Sequence, residues 1–332
     1  MPSDFLSPQT SIVDSHPSIP SYADILAAAA RIAPHARHTP VMTCQTLDER
    51  FGARLFFKCE NLQKVGAFKF RGAANAVFSL SEEEAARGVV THSSGNHAAA
   101  LALAARLRGV PAYIVMPSNS PAVKQAAVSG YGGKITLCEP TLAAREQSAG
   151  EIIARTGAVL IHPYNDVRII AGQGTAALEL IDEVPDLDLI LVPVGGGGLL
   201  SGTLIAARLA PRPGPQVIGC EPAAADDAYR SWRAGRIIPV EHPDTIADGL
   251  RTSLGDQTFP IIHALVQQIV LAGEPQIRAA LRLVMERMKL VVEPSAVVPI
   301  AALLEGTPRI AGQRVGVILS GGNVELSKLP LE

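Results

Sequence analysis

Lys69 is the residue whose type and setting most invite chemistry. It lies in the stretch Glu60-Asn61-Leu62-Gln63-Lys64-Val65-Gly66-Ala67-Phe68-Lys69-Phe70-Arg71-Gly72, behind a glycine and an aromatic at the start of a predicted helix. Partly apolar surroundings disfavour an ammonium and draw a lysine pKa towards neutrality, and Val65, Ala67, Phe68 and Phe70 supply them. On periodicity alone, a solvated helix lysine beside Arg71 is the plainer reading. Gly195-Gly196-Gly197-Gly198 falls between an apolar strand and a helix, so bare N–H groups can converge on an anion such as a phosphate. A tight turn is the bland alternative. A dinucleotide site, with Glu221 as the later ribose-binding acid, is the functional rival. That rival is weakened at the third glycine, because Gly-x-Gly-x-x-Gly would need glycine at Leu200 or at Ser201. A P-loop is excluded because no Gly-Lys-Ser/Thr follows the run. Ser93-Ser94-Gly95-Asn96-His97 marks a strand-to-helix junction, where N–H groups and short polar side chains either hold a carboxylate or merely cap the helix.

Gly66-Ala67-Phe68-Lys69-Phe70-Arg71-Gly72 resembles the cofactor-lysine signature of the serine/threonine dehydratase and serine racemase family, the fold-type II pyridoxal-phosphate (PLP) enzymes. Ser93-Ser94-Gly95-Asn96-His97, Gly195 to Gly198, Glu221-Pro222-Ala223-Ala224-Ala225-Asp226-Asp227 and Ser320-Gly321-Gly322-Asn323 agree with it in order and separation. The resemblance runs from about Ser21 to the C-terminus, and it points to the serine racemase and threo-3-hydroxyaspartate dehydratase subgroup.

The resemblance implies an α/β protein with two open parallel-sheet domains and PLP between them. The larger domain would comprise residues 21–87 plus 159–332, and the smaller, inserted one 88–158. It implies that Lys69, next to Phe68, holds PLP and removes the substrate α-proton. The glycine run would take the phosphate, Ser320 the pyridine nitrogen and Asn96 the phenolic oxygen. Ser93, Ser94, Asn96 and His97 would receive the substrate carboxylate. Arg145 is a further carboxylate partner or a surface arginine. Glu221, Asp227 and the Ala225 carbonyl would bind Mg²⁺, Mn²⁺ or Ca²⁺, although on spacing alone these acids read as solvated. Threonine dehydratases often carry alanine where Ser94 stands, whereas serine racemases and 3-hydroxyaspartate dehydratases resemble this chain in having serine. A racemase needs a proton donor on the face opposite the lysine, and the same serine does not forbid elimination. The expected activity is a PLP-dependent ammonia-lyase dehydrating serine, threonine or threo-3-hydroxyaspartate. Serine racemase is the alternative, with Lys69 and Ser94 as the two bases, and a PLP-binding regulator without turnover is a remote one. Ala67 replaces a serine frequent in relatives, and only a dozen residues follow Ser320, so no regulatory domain is expected there.

Alternating elements must position these groups. Ser21 can cap a helix with an apolar stripe of Ile25, Leu26 and Ile32. Strands are predicted over residues 54–59, 89–91, 112–116, 135–138, 159–161, 187–194, 217–220 and 315–319. Helices are predicted over 98–107, 122–128, 142–155, 174–183, 199–209, 277–288 and 296–304, and Lys69 opens another. This alternation predicts parallel sheets.

With 332 residues, 48% of them hydrophobic, and a net charge of -2, the chain can bury a large core. It shows no basic stripe for nucleic acid. Small amino-acid substrates and a second copy of the chain, as a homodimer, are the expected partners. Cys44, Cys59, Cys138 and Cys220 are too scattered for a zinc cage or a disulfide framework. The apolar run Ala98 to Ala105 is too short to cross a bilayer. Residues 1–20 carry Asp4, Asp14 and four prolines but no lysine or arginine, unlike a leader, and read as a flexible tail on a cytoplasmic protein.

Overall fold

Short β-branched and aromatic runs, each too brief for a helix and bounded by turns, pair into two sheets in the computed structural model, which describes residues 19–93, 95–211 and 214–325. The larger sheet is ordered β1 (Val41–Met42), β2 (Arg54–Cys59), β10 (Arg314–Leu319), β7 (Leu189–Pro193), β8 (Gln216–Pro222), β9 (Gln268–Ala272). All its pairings are parallel except β1 with β2. The smaller sheet is ordered β5 (Lys134–Cys138), β4 (Ala112–Pro117), β3 (Val89–His92), β6 (Val159–Leu160) and is wholly parallel. Its strands all fall in sequence between β2 and β7. Val159–Leu160 pairs with β3, so the smaller sheet takes in the first two residues that the sequence reading gave to the flanking unit.

Because successive strand residues face opposite ways, β7 feeds two cores. Leu189 and Leu191 pack with the helices Glu274–Met288 and Val298–Leu304, whereas Ile190 and Val192 pack with Val167–Glu183 and Gly198–Arg208. In the smaller sheet Ile114 and Met116 face the helix Asn96–Arg108, and Val90 and Val115 face Leu142–Thr156.

The helix that Lys69 opens, Lys69–Phe78, is seated by two devices. The first is close glycine packing: a Cβ on Gly172 would come within 2.6 Å of the Gly72 Cα, and one on Gly174 within 2.7 Å of the Gly202 carbonyl oxygen. The second is Arg71, fully buried, whose guanidinium grips the Glu60 and Glu179 carboxylates in bidentate fashion at 2.6–2.8 Å. Lys58, also buried, completes the cluster at 2.8 Å from Glu179 and 3.2 Å from Glu183.

Several expectations shift. Val167–Glu183 begins seven residues before the predicted start at 174, because Gly172 and Gly174 serve helix contact here and not helix breaking. Ser21 caps its helix through a capping box with Asp24, but the buried stripe is Ile25, Ala28 and Ile32, and Leu26 is 46% exposed. Most of the expected N-terminal tail, and Ser94, lie outside the described residues. No helix among the described residues is long and apolar enough to cross a membrane.

Candidate functional site

Four segments converge on the Lys69 amine. The first is its own: Ala67 bridges Gly321, and the Phe68 N–H donates to the Ser320 carbonyl at 3.0 Å, tying the start of the lysine helix to the turn after β10. The second is the stretch after β6, where Lys69 Nζ donates to the Pro163 carbonyl at 2.9 Å. The third is the helix Asn96–Arg108, whose first residue joins the Ser320 turn through Asn323 Nδ2 donating to Asn96 Oδ1 at 2.9 Å. The fourth is the glycine run: the Tyr164 ring lies where a Gly196 Cβ would be, and a Gly198 Cβ would stand 3.1 Å from the Tyr164 Cβ.

Burial lowers the Lys69 pKa to about 8, with the Glu293 carboxylate working the other way. Its Nζ lies 5.1 Å from the centroid of the Phe68 ring, which supplies a cation–π contact that water would otherwise replace. A free-base fraction therefore exists near neutrality, as an imine-forming amine requires.

Gly197 has φ +89°, a conformation that favours glycine, and it caps the helix Gly198–Arg208. The first N–H groups of that helix have no intrahelical acceptor and carry its positive dipole end. No side chain at Gly195, Gly196, Gly197 or Gly198 could be added without meeting Leu250, Tyr164, Thr258 or Leu254. This backbone cradle fits a phosphate. Ser320 is buried at the carboxyl end of β10, so its hydroxyl can serve a ring nitrogen. These residues together fit PLP.

Ser93 lies at the end of β3, where its Oγ accepts from the Gly95 N–H at 3.4 Å. His97 is buried, with Nε2 at 3.3 Å from the Ile161 carbonyl, and burial with nearby Lys69 holds its pKa well below the ordinary value. It is a neutral donor or acceptor, not a cation. Arg145 is half-buried on Leu142–Thr156; burial, then the Arg145 charge, lower the His92 pKa, and burial raises that of Tyr164.

Glu221 and Asp227 are both fully buried. The Glu221 carboxylate accepts the Ala228 and Tyr229 N–H groups at 2.8 Å each, and burial, then Asp227, push its pKa well up. Both Asp227 oxygens lack a geometrically closed hydrogen bond, and burial raises this pKa to about 7, with the Leu254 backbone working the other way. Orphaned buried carboxylate oxygens fit a hard cation. No cluster of three or more His, Cys, Asp or Glu side chains suited to a metal occurs among the described residues, so backbone or water oxygens would complete any shell.

Sequence reasoning missed His162, Tyr164 and Glu293. The His162 ring meets Tyr164 edge-on at 4.6 Å and His92 at 5.5 Å, and burial lowers its pKa to about 4. Glu293 was legible as the one charge inside the apolar run Leu290 to Val298. The His162-Pro163-Tyr164 stretch gave no comparable signal.

The chain is 51% identical to a beta-hydroxyaspartate dehydratase of Paracoccus denitrificans, over 94% of this chain and 99% of that one. It is 50% identical to a serine racemase of Arabidopsis thaliana, over 92% and 95%. The solved structure of maize serine racemase superposes with a TM-score of 0.90 at 46% identity, covering 93% of this chain and 95% of that one. Residues 32–321 match the pyridoxal-phosphate dependent enzyme family, and the chain is a fold-type II member of it.

Proposed function

We propose that this enzyme is an ammonia-lyase that removes water from a small β-hydroxy amino acid, serine, threonine or threo-3-hydroxyaspartate, to give a 2-oxo acid and ammonia. The observation that carries the reading is the desolvated Lys69 amine bonded to the Pro163 carbonyl, next to the Tyr164 that packs on the glycine run, with His97 of the Asn96–Arg108 helix within reach of its charge.

PLP, when bound, supplies an electron sink that stabilises negative charge at the substrate Cα. Lys69 would hold the cofactor through its Nζ, and its free amine would take the substrate α-proton. Gly195 to Gly198 would bind the phosphate, Ser320 would meet the ring nitrogen with a neutral hydroxyl, and Asn96 would meet the phenolic oxygen. Phe68 packs beside the lysine. Ser93, Ser94, Asn96 and His97 hold the substrate carboxylate, and Arg145 takes the second carboxylate of a hydroxyaspartate. The β-hydroxyl would take up a proton and leave as water, and the resulting enamine would be hydrolysed by a second water to 2-oxo acid and ammonia. A relative named beta-hydroxyaspartate dehydratase supports elimination. Glu221, Asp227 and the Ala225 carbonyl would hold Mg²⁺, Mn²⁺ or Ca²⁺ as a structural ion. We read residues 88–160, which carry β3 to β6, as the smaller domain and the working protein as a cytoplasmic homodimer.

The relative named serine racemase favours a second reading, in which Ser94 reprotonates Cα on the face opposite Lys69. One assay separates the two: each candidate amino acid is incubated with purified enzyme while 2-oxo acid release and enantiomer composition are followed together. Elimination requires 2-oxo acid from at least one substrate. Enantiomer exchange without 2-oxo acid would replace the first reading with the second, and neither would leave a PLP-binding regulator.

A further inference from the structure

Asn96 has no freedom to turn its carboxamide over. Asn323 Nδ2 donates to the Val65 carbonyl at 2.7 Å and to Asn96 Oδ1 at 2.9 Å, so two acceptors fix the Asn323 amide. On the other side Asn96 Nδ2 donates to both oxygens of the Glu293 carboxylate, at 3.0 and 3.1 Å. Flipping Asn96 would set N–H against N–H at one end and oxygen against carboxylate at the other. Asn96 Nδ2 is thus held by Glu293 and its Oδ1 by Asn323, one partner at each end of the carboxamide.

Glu293 itself is 4% exposed and held by backbone. Its N–H donates to the Gly321 carbonyl at 3.0 Å, and a Cβ on Gly321 would come within 2.7 Å of its carboxylate. The glycine after Ser320 is thus what lets the carboxylate reach Asn96. The charged groups that face it are Lys69 on its helix, Asp248 in the 3₁₀ turn Asp248–Leu250 and Lys124 on Ala122–Gly130, the last two paired at 3.0 Å. Those last two act on Glu293 in opposite directions, and Lys69 stands as the unpaired cation of the set.

We infer that Glu293 is a positioning residue of this site: it fixes which face the Asn96 carboxamide turns to the cofactor and sets negative charge against the Lys69 amine. The inference rests on the proposed roles of Lys69 and Asn96. Burial raises the Glu293 pKa to about 7, so its charge is present in the range where the amine titrates. One carboxylate then links the orientation of the cofactor partner to the protonation of the attachment lysine.

The test reads Lys69 directly in full-length protein freed of cofactor. Trace acetic anhydride labels the free-base amine, and mass spectrometry of the Lys69 peptide gives its titration midpoint. Glu293→Gln should lower that midpoint by about one pH unit, the scale expected of a lost neighbouring charge. In the holoenzyme the same variant should release PLP roughly tenfold faster, as a lost charge-assisted hydrogen bond implies. A folded Glu293→Gln protein with an unmoved midpoint overturns the inference. If that variant fails to fold, Glu293→Asp keeps the charge but withdraws it by one methylene. Its midpoint should still fall, by less, and an unmoved midpoint there also overturns it. Because the labelling uses no cofactor, its outcome is independent of whether PLP attaches at Lys69.

Discussion

Replacing Arg71 by alanine tests how the site is held in place. The side chain is fully buried and makes four charge-assisted contacts, two with Glu60 at 2.8 Å and two with Glu179 at 2.6 and 2.8 Å. Glu179 would keep Lys58 at 2.8 Å and is 20% exposed. Glu60 is 0% exposed and would keep only the Thr39 hydroxyl, at 2.5 Å. The cost therefore falls on Glu60, left as an uncompensated buried charge, and should be about 3–5 kcal/mol. Glu60→Gln in the same chain removes that charge, so the double variant Arg71→Met/Glu60→Gln should be more stable than Arg71→Ala alone. Urea unfolding followed by circular dichroism gives both values. An Arg71→Ala protein within about 1 kcal/mol of the parent would refute the reasoning, as would a double variant no more stable than the single one.

Two further outcomes follow from the same structure. Gly196→Ala places a methyl in the Tyr164 ring and should weaken PLP binding at least tenfold by equilibrium dialysis, with Tyr164→Ala restoring part of the loss. His162 titrates at about 4 when folded against 6.5 when free, so the unfolded chain binds more protons between those values. Folded stability should consequently fall as pH drops from 6.5 to 4. The slope should be shallower in His162→Gln, as calorimetry across that interval would reveal.

The sequence carried the sheet strands near the site because β7 is an uninterrupted apolar run, as a strand buried on both faces must be, and β2 and β10 are apolar apart from a leading arginine in each and Lys58 in β2. It carried Lys69, the glycine run and Ser320 because their local motifs are contiguous. Glu293 and Asn96 lie 197 residues apart, so no local pattern could show that one orients the other. The glycines of Val167–Glu183 misled for a related reason, since their use lies in the facing Gly72 and Gly202 and not in their own helix. Leu26 reads as core by period alone, but the helix turns Ala28 inward instead.

The central claim is that Lys69 carries the cofactor. Borohydride reduction of the purified holoenzyme, followed by proteolysis and mass spectrometry, locates the lysine bonded to PLP. The account requires the added pyridoxyl mass on the Lys69 peptide and its disappearance, with the visible absorbance of the bound cofactor, in Lys69→Ala. A pyridoxyl group on Lys58, Lys64 or any other lysine, or an unchanged spectrum in Lys69→Ala, would contradict it.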